Sequence, residues 1–211
     1  LLFFLFRRSY PFPYSSPRGN RRLKCRESGM PDETVWATFF DADPAMARLW
    51  PETRGHVLEL GSGYGTFTLA AARRTKGIVT ALEIDPELIA LVRSKAEQLG
   101  LTNLRVQERD FVTSDLGVLP GSQSHVMLYN LLHMEEHVRM LQKARRAVDT
   151  NGTISVMHWR TDVPTPRGPP MDIRPDPEAA ATWLSKAGFS GIVPVDLSDC
   201  CPFHYGITAK W

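Results

Sequence analysis

Cysteine is scarce in this chain, and the few there are cannot build a framework. Of three cysteines in 211 residues, Cys25, Cys200 and Cys201, two are neighbours that would close only a strained ring, so a disulfide scaffold is excluded and a reducing compartment is the simpler expectation. Long apolar runs are also missing. The stretch over 1–6 stops at Arg7 and Arg8, far short of the roughly 20 residues a membrane helix needs, so no membrane span is expected. Nor is there a surplus of one charge: the formal net charge is +2, and seven of the bases crowd into residues 1–26, where there is no acid. That leaves 18 Lys and Arg against 23 Asp and Glu in the rest, so no nucleic acid partner is expected. Internal repeats are absent. What the chain does have is a 43% hydrophobic content, enough to bury a core over an ordinary domain length.

Residues 1–29 read separately from the rest. Rich in Arg, Ser and Pro and without apolar periodicity, they have the composition of a disordered leader. The same composition suits an organelle transit peptide, but Pro11, Pro13 and Pro17 would break the amphipathic helix such a peptide uses. The plainer expectation is that Met30 is the natural start, preceded by an upstream extension, and that residues 30–211 form one cytoplasmic domain; organelle import follows if the leader is genuine.

From Pro31 onward, β-rich runs alternate with helical patterns. Strands are expected over 56–60, 78–83, 104–109, 125–130 and 153–159, with two more near 191–195 and 203–209. Helices are expected over 33–50, 66–74, 86–99, 135–148 and 177–187. Asp85 before Pro86 is a helix start, Gly100 a stop, and Asn151-Gly152 is read as ending the third central helix. The fold class this alternation predicts is α/β: a Rossmann-like, doubly wound, mostly parallel seven-stranded sheet with helices on both faces. A proline-rich loop over 160–175 interrupts the pattern, carrying Arg160, Arg167 and Arg174.

The chemistry is concentrated after the first strand. Val57-Leu58-Glu59-Leu60-Gly61-Ser62-Gly63-Tyr64-Gly65-Thr66 runs a strand into glycines and then a helix, the way a nucleotide-like cofactor is received: glycine permits positive φ and close approach, and amides at the helix start offer donors. Glu83, at the end of the second strand, can accept hydrogen bonds from both hydroxyls of a ribose. A dinucleotide pattern G-x-G-x-x-G would need glycine where Thr66 stands, and a pyrophosphate would be repelled by Glu59, whereas a sulfonium with an amino group would not.

Glu59 to Thr66, Glu83 and Asp110-Phe111 resemble the successive motifs of class I S-adenosylmethionine-dependent methyltransferases. The resemblance implies S-adenosyl-L-methionine as cofactor, with Glu59, Gly61, Ser62, Gly63 and Gly65 around the methionine part. It further implies Glu83 on the ribose, Ile84 against the adenine face, Asp110 and Phe111 at the adenine, and Asn130 at the end of strand four between donor and acceptor. It also implies methyl transfer to a small-molecule substrate, because Asn130 is followed by Leu131-Leu132 rather than by the two prolines of the enzymes that methylate amino groups of DNA.

On the acceptor side, Tyr129, His133 and His158 are the candidate catalytic groups, histidine being the natural proton acceptor near neutral pH. Arg160, Arg167 and His204 are candidate substrate contacts, with the proline-rich loop as a lid whose arginine pairs with an acidic acceptor. His133 and His137 have metal-ligand spacing, but Met134 stands where the zincin pattern needs Glu, so no metal is expected. Two other readings stay open: a nicotinamide-dependent reductase on the same sheet, and a donor-binding but inactive partner subunit. Which of O, N, C or S accepts the methyl group, and the oligomeric state, are not legible in the sequence.

Overall fold

The computed structural model describes residues 30–211, so the leader and Cys25 lie outside the described residues. Among these residues a seven-stranded sheet runs in the order β3-β2-β1-β4-β5-β7-β6. The strands are β1 Val57–Leu60, β2 Val79–Glu83, β3 Leu104–Glu108, β4 Gln123–Tyr129, β5 Val148–Trp159, β6 Ser190–Val195 and β7 His204–Lys210. The helices are α1 Glu33–Ala37, α2 Ala42–Leu49, α3 Thr66–Arg74, α4 Pro86–Gln98, α5 His137–Ala147 and α6 Pro177–Lys186. The first five strands are parallel, and β7 inserts antiparallel between β5 and β6, as the expected mostly parallel sheet allows.

Period-two alternation sorts the core into two faces. Leu58, Leu60, Val126, Leu128, Ile154 and Val156 turn toward α5 and α6. Val57, Met127, Tyr129 and Met157 turn the other way, against α2 and α3. β1 and β2 are buried along their whole length, the mark of parallel strands covered on both sides. The helix starts follow the capping chemistry. Asp85 accepts from the Glu87 amide (2.8 Å) ahead of Pro86, and Asp176 accepts from the Ala179 amide (2.7 Å) ahead of Pro177.

Two expected helices differ. The single helix over 33–50 is broken into α1 and α2, because Pro44 has no amide for the Phe40 carbonyl and fits only in a first turn. The Asp41 amide instead donates to the Cys200 carbonyl (2.7 Å), drawing the break onto the far end of the chain. The helix expected over 135–148 starts two residues later and runs without a turn into β5, so Asn151 and Gly152 are strand residues and not a stop. Gly152 sits there for space: a Cβ would lie 2.9 Å from the Ser124 carbonyl oxygen.

Candidate functional site

The strand order reverses between β1 and β4, and a parallel sheet opens a crevice at such a point beyond its carboxyl ends. A cavity of about 370 Å³ lies there. One half is walled by the ends of β1, β2 and β3, the other by the ends of β4 and β5, with Met30, Pro31 and Trp36 from the leading segment and Gly168 and Pro169 from the loop after β5.

The β1 to α3 turn is built on left-handed backbone at Gly61 (φ 75°), Gly63 (φ 50°) and Gly65 (φ 81°). Gly65 is needed twice over, since a Cβ there would also meet Val92 at 2.9 Å. The glycine amides are not offered to a ligand. Gly61 N–H and Ser62 N–H both donate to the Leu82 carbonyl, Gly63 N–H to Glu83 Oε2 (2.9 Å) and Gly65 N–H to the Ser62 carbonyl. The turn therefore presents close, side-chain-poor backbone to the cavity, while its amides hold it to β2.

Glu83 is buried and organises this corner. Its Oε1 accepts from the amides of Ile84 (2.7 Å) and Asp85 (3.1 Å), and its Oε2 from Gly63. A carboxylate offers about four lone-pair positions, so three are filled and one on Oε2 is left for a ligand hydroxyl. Glu59 is fully buried and takes a hydrogen bond from the Thr68 hydroxyl of α3. Burial pushes its carboxyl up to about 8; the Thr68 bond opposes this and the Glu83 charge adds to it.

Asp110 faces the cavity but spends its carboxylate on its own turn, accepting from the amides of Val112 (3.0 Å) and Thr113 (3.1 Å) and from the Thr113 hydroxyl (2.7 Å). Burial raises its pKa, but these bonds and the Lys143 ammonium outweigh it and hold the group ionised. Ile84, Phe111 and Val112 supply apolar walls beside it. Lys143, on α5, was not singled out from the sequence. Its ammonium donates to the carbonyls of Phe111 (2.8 Å), Val112 (2.8 Å) and Ser114, clamping the whole Asp110 turn.

In the other half, Asn130 closes β4 with φ 57°, a left-handed conformation that asparagine tolerates. Its Oδ1 and the Ser62 hydroxyl are buried without a partner. Buried polar atoms are nearly always paired, so two unpaired ones on residues lining the same cavity, one from each half, make them candidates for polar ligand atoms.

His133 lines the cavity, and His158 stands behind it on the face of β5 that carries Ile154 and Val156. Hydrogen bonding assigns their tautomers. The Trp159 carbonyl can only accept, so His158 donates to it from Nδ1 (3.4 Å). The neutral ring then accepts at Nε2 from His133 Nδ1–H (3.2 Å), which leaves His133 Nε2 unprotonated. Burial pushes His158 down to about 3 and lowers His133, and the Arg174 cation lowers both.

Several expected residues sit elsewhere. Tyr129 gives the cavity its ring only. Its hydroxyl is turned into the core on Ser155 (2.7 Å), where burial raises its pKa, so it is not placed to move a proton at the cavity. His204 is buried behind the wall, between Phe40 (4.6 Å between centroids) and Trp159 (4.2 Å), with Nε2 at 3.4 Å from Asn130 Nδ2; it supports Asn130 and does not reach the cavity. Arg160 pairs with Asp162 (2.6 Å), and the Arg167 side chain is exposed, so neither reaches the cavity. Arg174 turns back into its own loop, donating to the carbonyls of Pro169, Arg160 and Arg167 and to the Thr165 hydroxyl. The loop does cover the cavity, through Gly168 and Pro169. At Gly168 a Cβ would lie 2.9 Å from the Trp159 ring. His137 donates to the Met134 carbonyl and lies on Trp183, turned away from His133.

Residues 57–152 match the profile of the Methyltransferase domain family. The chain is 34% identical over 91 residues to a ribosomal RNA small subunit methyltransferase A of Xylella fastidiosa, covering 42% of this chain and 33% of that one. It is 37% identical over 99 residues to a ribosomal protein L11 methyltransferase of Pelobacter propionicus, covering 46% and 30%. It thus spans about a third of the length of these curated relatives. Its fold is similar to the crystal structure of a SAM-dependent methyltransferase from Aquifex aeolicus, with a TM-score of 0.70 at 18% identity over 84% of this chain and 93% of that one.

Proposed function

We propose that this chain, whose residues 57–152 match the methyltransferase-domain profile and whose fold is similar to that of a SAM-dependent methyltransferase, transfers a methyl group from S-adenosylmethionine to a small-molecule acceptor. The observation that carries the reading is a single cavity continuous from the Gly61–Gly65 turn and Glu83 to His133, so that donor and acceptor would share one space.

The residues fit the donor. The side-chain-poor turn admits the methionine part; the unpartnered Ser62 hydroxyl and Asn130 Oδ1 suit its amino and carboxylate groups. The open position on Glu83 Oε2 suits a ribose hydroxyl, and Ile84, Phe111 and Val112 suit the adenine. Glu83 and Asp110 make this half unfavourable to a pyrophosphate, since the Arg109 beside them is paired with Asp115 (3.0 Å); Glu59, expected to add to that repulsion, is held protonated by burial and does not. When bound, the donor supplies an already activated methyl group, so the protein has to hold an acceptor in line and exclude water. Met30, Trp36 and the Gly168-Pro169 segment provide the exclusion. His133 Nε2 is the group positioned to take the acceptor's proton.

The small-molecule reading is supported by the cover over the cavity. The family profile is matched over residues 57–152, which hold the donor-binding turn and Glu83, whereas Trp36, Trp159 and the 160–175 loop, which shape the acceptor half, lie outside it; the relatives named for ribosomal RNA and ribosomal protein match 42% and 46% of this chain. Incubating the purified chain with labelled donor and a panel of small metabolites, ribosomal RNA and ribosomal protein tests this directly. Label confined to the macromolecules overturns the small-molecule reading.

A further inference from the structure

The acceptor half of the cavity selects by what it withholds. Its walls are Trp36, Phe67, Tyr129, Trp159 and Met134, with His133 and Asn130 as the polar points. The Arg174 guanidinium nearest this half is consumed by four oxygen acceptors of its own loop, and the Tyr129 hydroxyl by Ser155. The carboxyls of Glu59 and Glu83 belong to β1 and β2, on the donor side. A carboxylate or phosphate acceptor would enter an apolar wall in which no side-chain cation is free to bond it, and it would lose its hydration there with only the donor's sulfonium and the already paired Arg174 nearby. A protonated amine has no lone pair to methylate and would face the donor's own positive charge.

Asn130 Oδ1 serves the donor, which leaves His133 Nε2 as the open polar atom of this half, and it accepts a hydrogen bond. The ligand therefore has to bring the hydrogen. A phenol-type hydroxyl titrates near 10, about as tyrosine does, which puts its proton within reach of an imidazole, whereas an alkyl alcohol holds its proton far more tightly.

Resting on the methyl-transfer reading above, we propose that the acceptor is a neutral, planar aromatic molecule with a phenolic hydroxyl, seated against Trp36 and Trp159 with that hydroxyl on His133 Nε2. His158 is a positioning residue: by accepting His133 Nδ1–H it fixes the tautomer that leaves Nε2 free. In the reaction the phenolic O–H breaks and its proton goes to His133 Nε2. The oxygen pair forms the new O–CH3 bond as the S–CH3 bond breaks, and sulfur keeps that bond's electrons as a neutral thioether. The imidazolium then returns its proton to water.

The test uses the full chain and three probes of similar shape: 4-methylphenol, 4-methylbenzoate and (4-methylbenzyl)trimethylammonium. Donor binding by calorimetry comes first, and quenching of tryptophan fluorescence, which Trp36 and Trp159 report, then gives probe affinity. The expected result is the phenol binding at least tenfold tighter than the benzoate or the ammonium, with that preference lost in His133→Gln while donor binding is kept. In 15N-histidine NMR, His133 should read as the Nδ1-protonated tautomer and become a mixture in His158→Phe. Donor binding with equal or better affinity for the benzoate overturns the phenol assignment alone, and tighter ammonium binding replaces it with an aromatic cage for cations. Absence of donor binding overturns the methyl-transfer reading and this inference with it.

Discussion

Replacing Glu59 by glutamine isolates the most perturbed acid of the site. Its carboxyl is fully buried on Thr68 and titrates at about 8 in the fold against 4.5 as a free side chain. Because the folded value is the higher one, the folded state holds the proton more tightly. Glu59 is therefore harmless to stability below about pH 4.5 and becomes increasingly costly as pH rises, until the carboxyl ionises near pH 8. At about 1.4 kcal/mol per unit, the loss across that window is on the order of 5 kcal/mol. Glutamine keeps an acceptor for the Thr68 hydroxyl and has no proton to lose. Urea unfolding of both proteins from pH 5 to pH 9 should show the wild type falling behind Glu59→Gln by about 1 kcal/mol or more per pH unit up to pH 8, then running parallel. Buried His125 and His158, pushed down to about 3, cost stability as pH falls below their free value, but do so equally in both proteins and cancel in the difference. Parallel curves across the whole range would refute the buried, protonated carboxyl.

Three other outcomes follow from the same contacts. A cation placed beside Glu59 restores its charge, so donor binding at pH 7 should release up to one proton; calorimetry in two buffers of different ionisation enthalpy counts it, and Glu59→Gln should release none. Gly65→Ala combines left-handed strain with a Cβ 2.9 Å from Val92 and should destabilise by about 2–4 kcal/mol, whereas Gly63→Ala, whose Cβ meets nothing closer than Met30 at 3.6 Å, should cost only about 1–2 kcal/mol; thermal unfolding separates them. Lys143→Met leaves three carbonyls of the Asp110 turn without their donor and should cost about 2–4 kcal/mol together with donor affinity; a variant as stable as wild type would show that the clamp carries no load.

The sheet and its donor side were legible because their signals are local. Buried β runs, a glycine turn and an acid one strand later are fixed by backbone geometry, and β1, β2, α3 and Glu83 fall within a residue or two of where the sequence puts them. The break between α1 and α2 was missed although Pro44 announced it, because the aromatic spacing of Trp36, Phe39 and Phe40 reads as one helix face. Lys143 lies in a basic stretch with Arg145 and Arg146 that looks solvated, and only the return of α5 onto the β3 turn gives it carbonyls to bind. Thr68 likewise becomes functional only once α3 packs on Glu59. On the acceptor side the sequence could name His133 and His158, but their tautomers and the inward turn of the Tyr129 hydroxyl depend on contacts from β5. The loop arginines were read by charge alone, and unfilled carbonyls of the loop itself claim Arg174.

If the Gly61–Gly65 turn and Glu83 hold an adenosyl sulfonium, titration calorimetry of S-adenosylmethionine into wild type and Glu83→Gln will register it. One site per chain is expected, with affinity reduced about tenfold or more in the variant, as when a charge-assisted hydrogen bond of roughly 1.5–3 kcal/mol is weakened. No heat of binding in the wild type, or identical affinity in the two proteins, would contradict it.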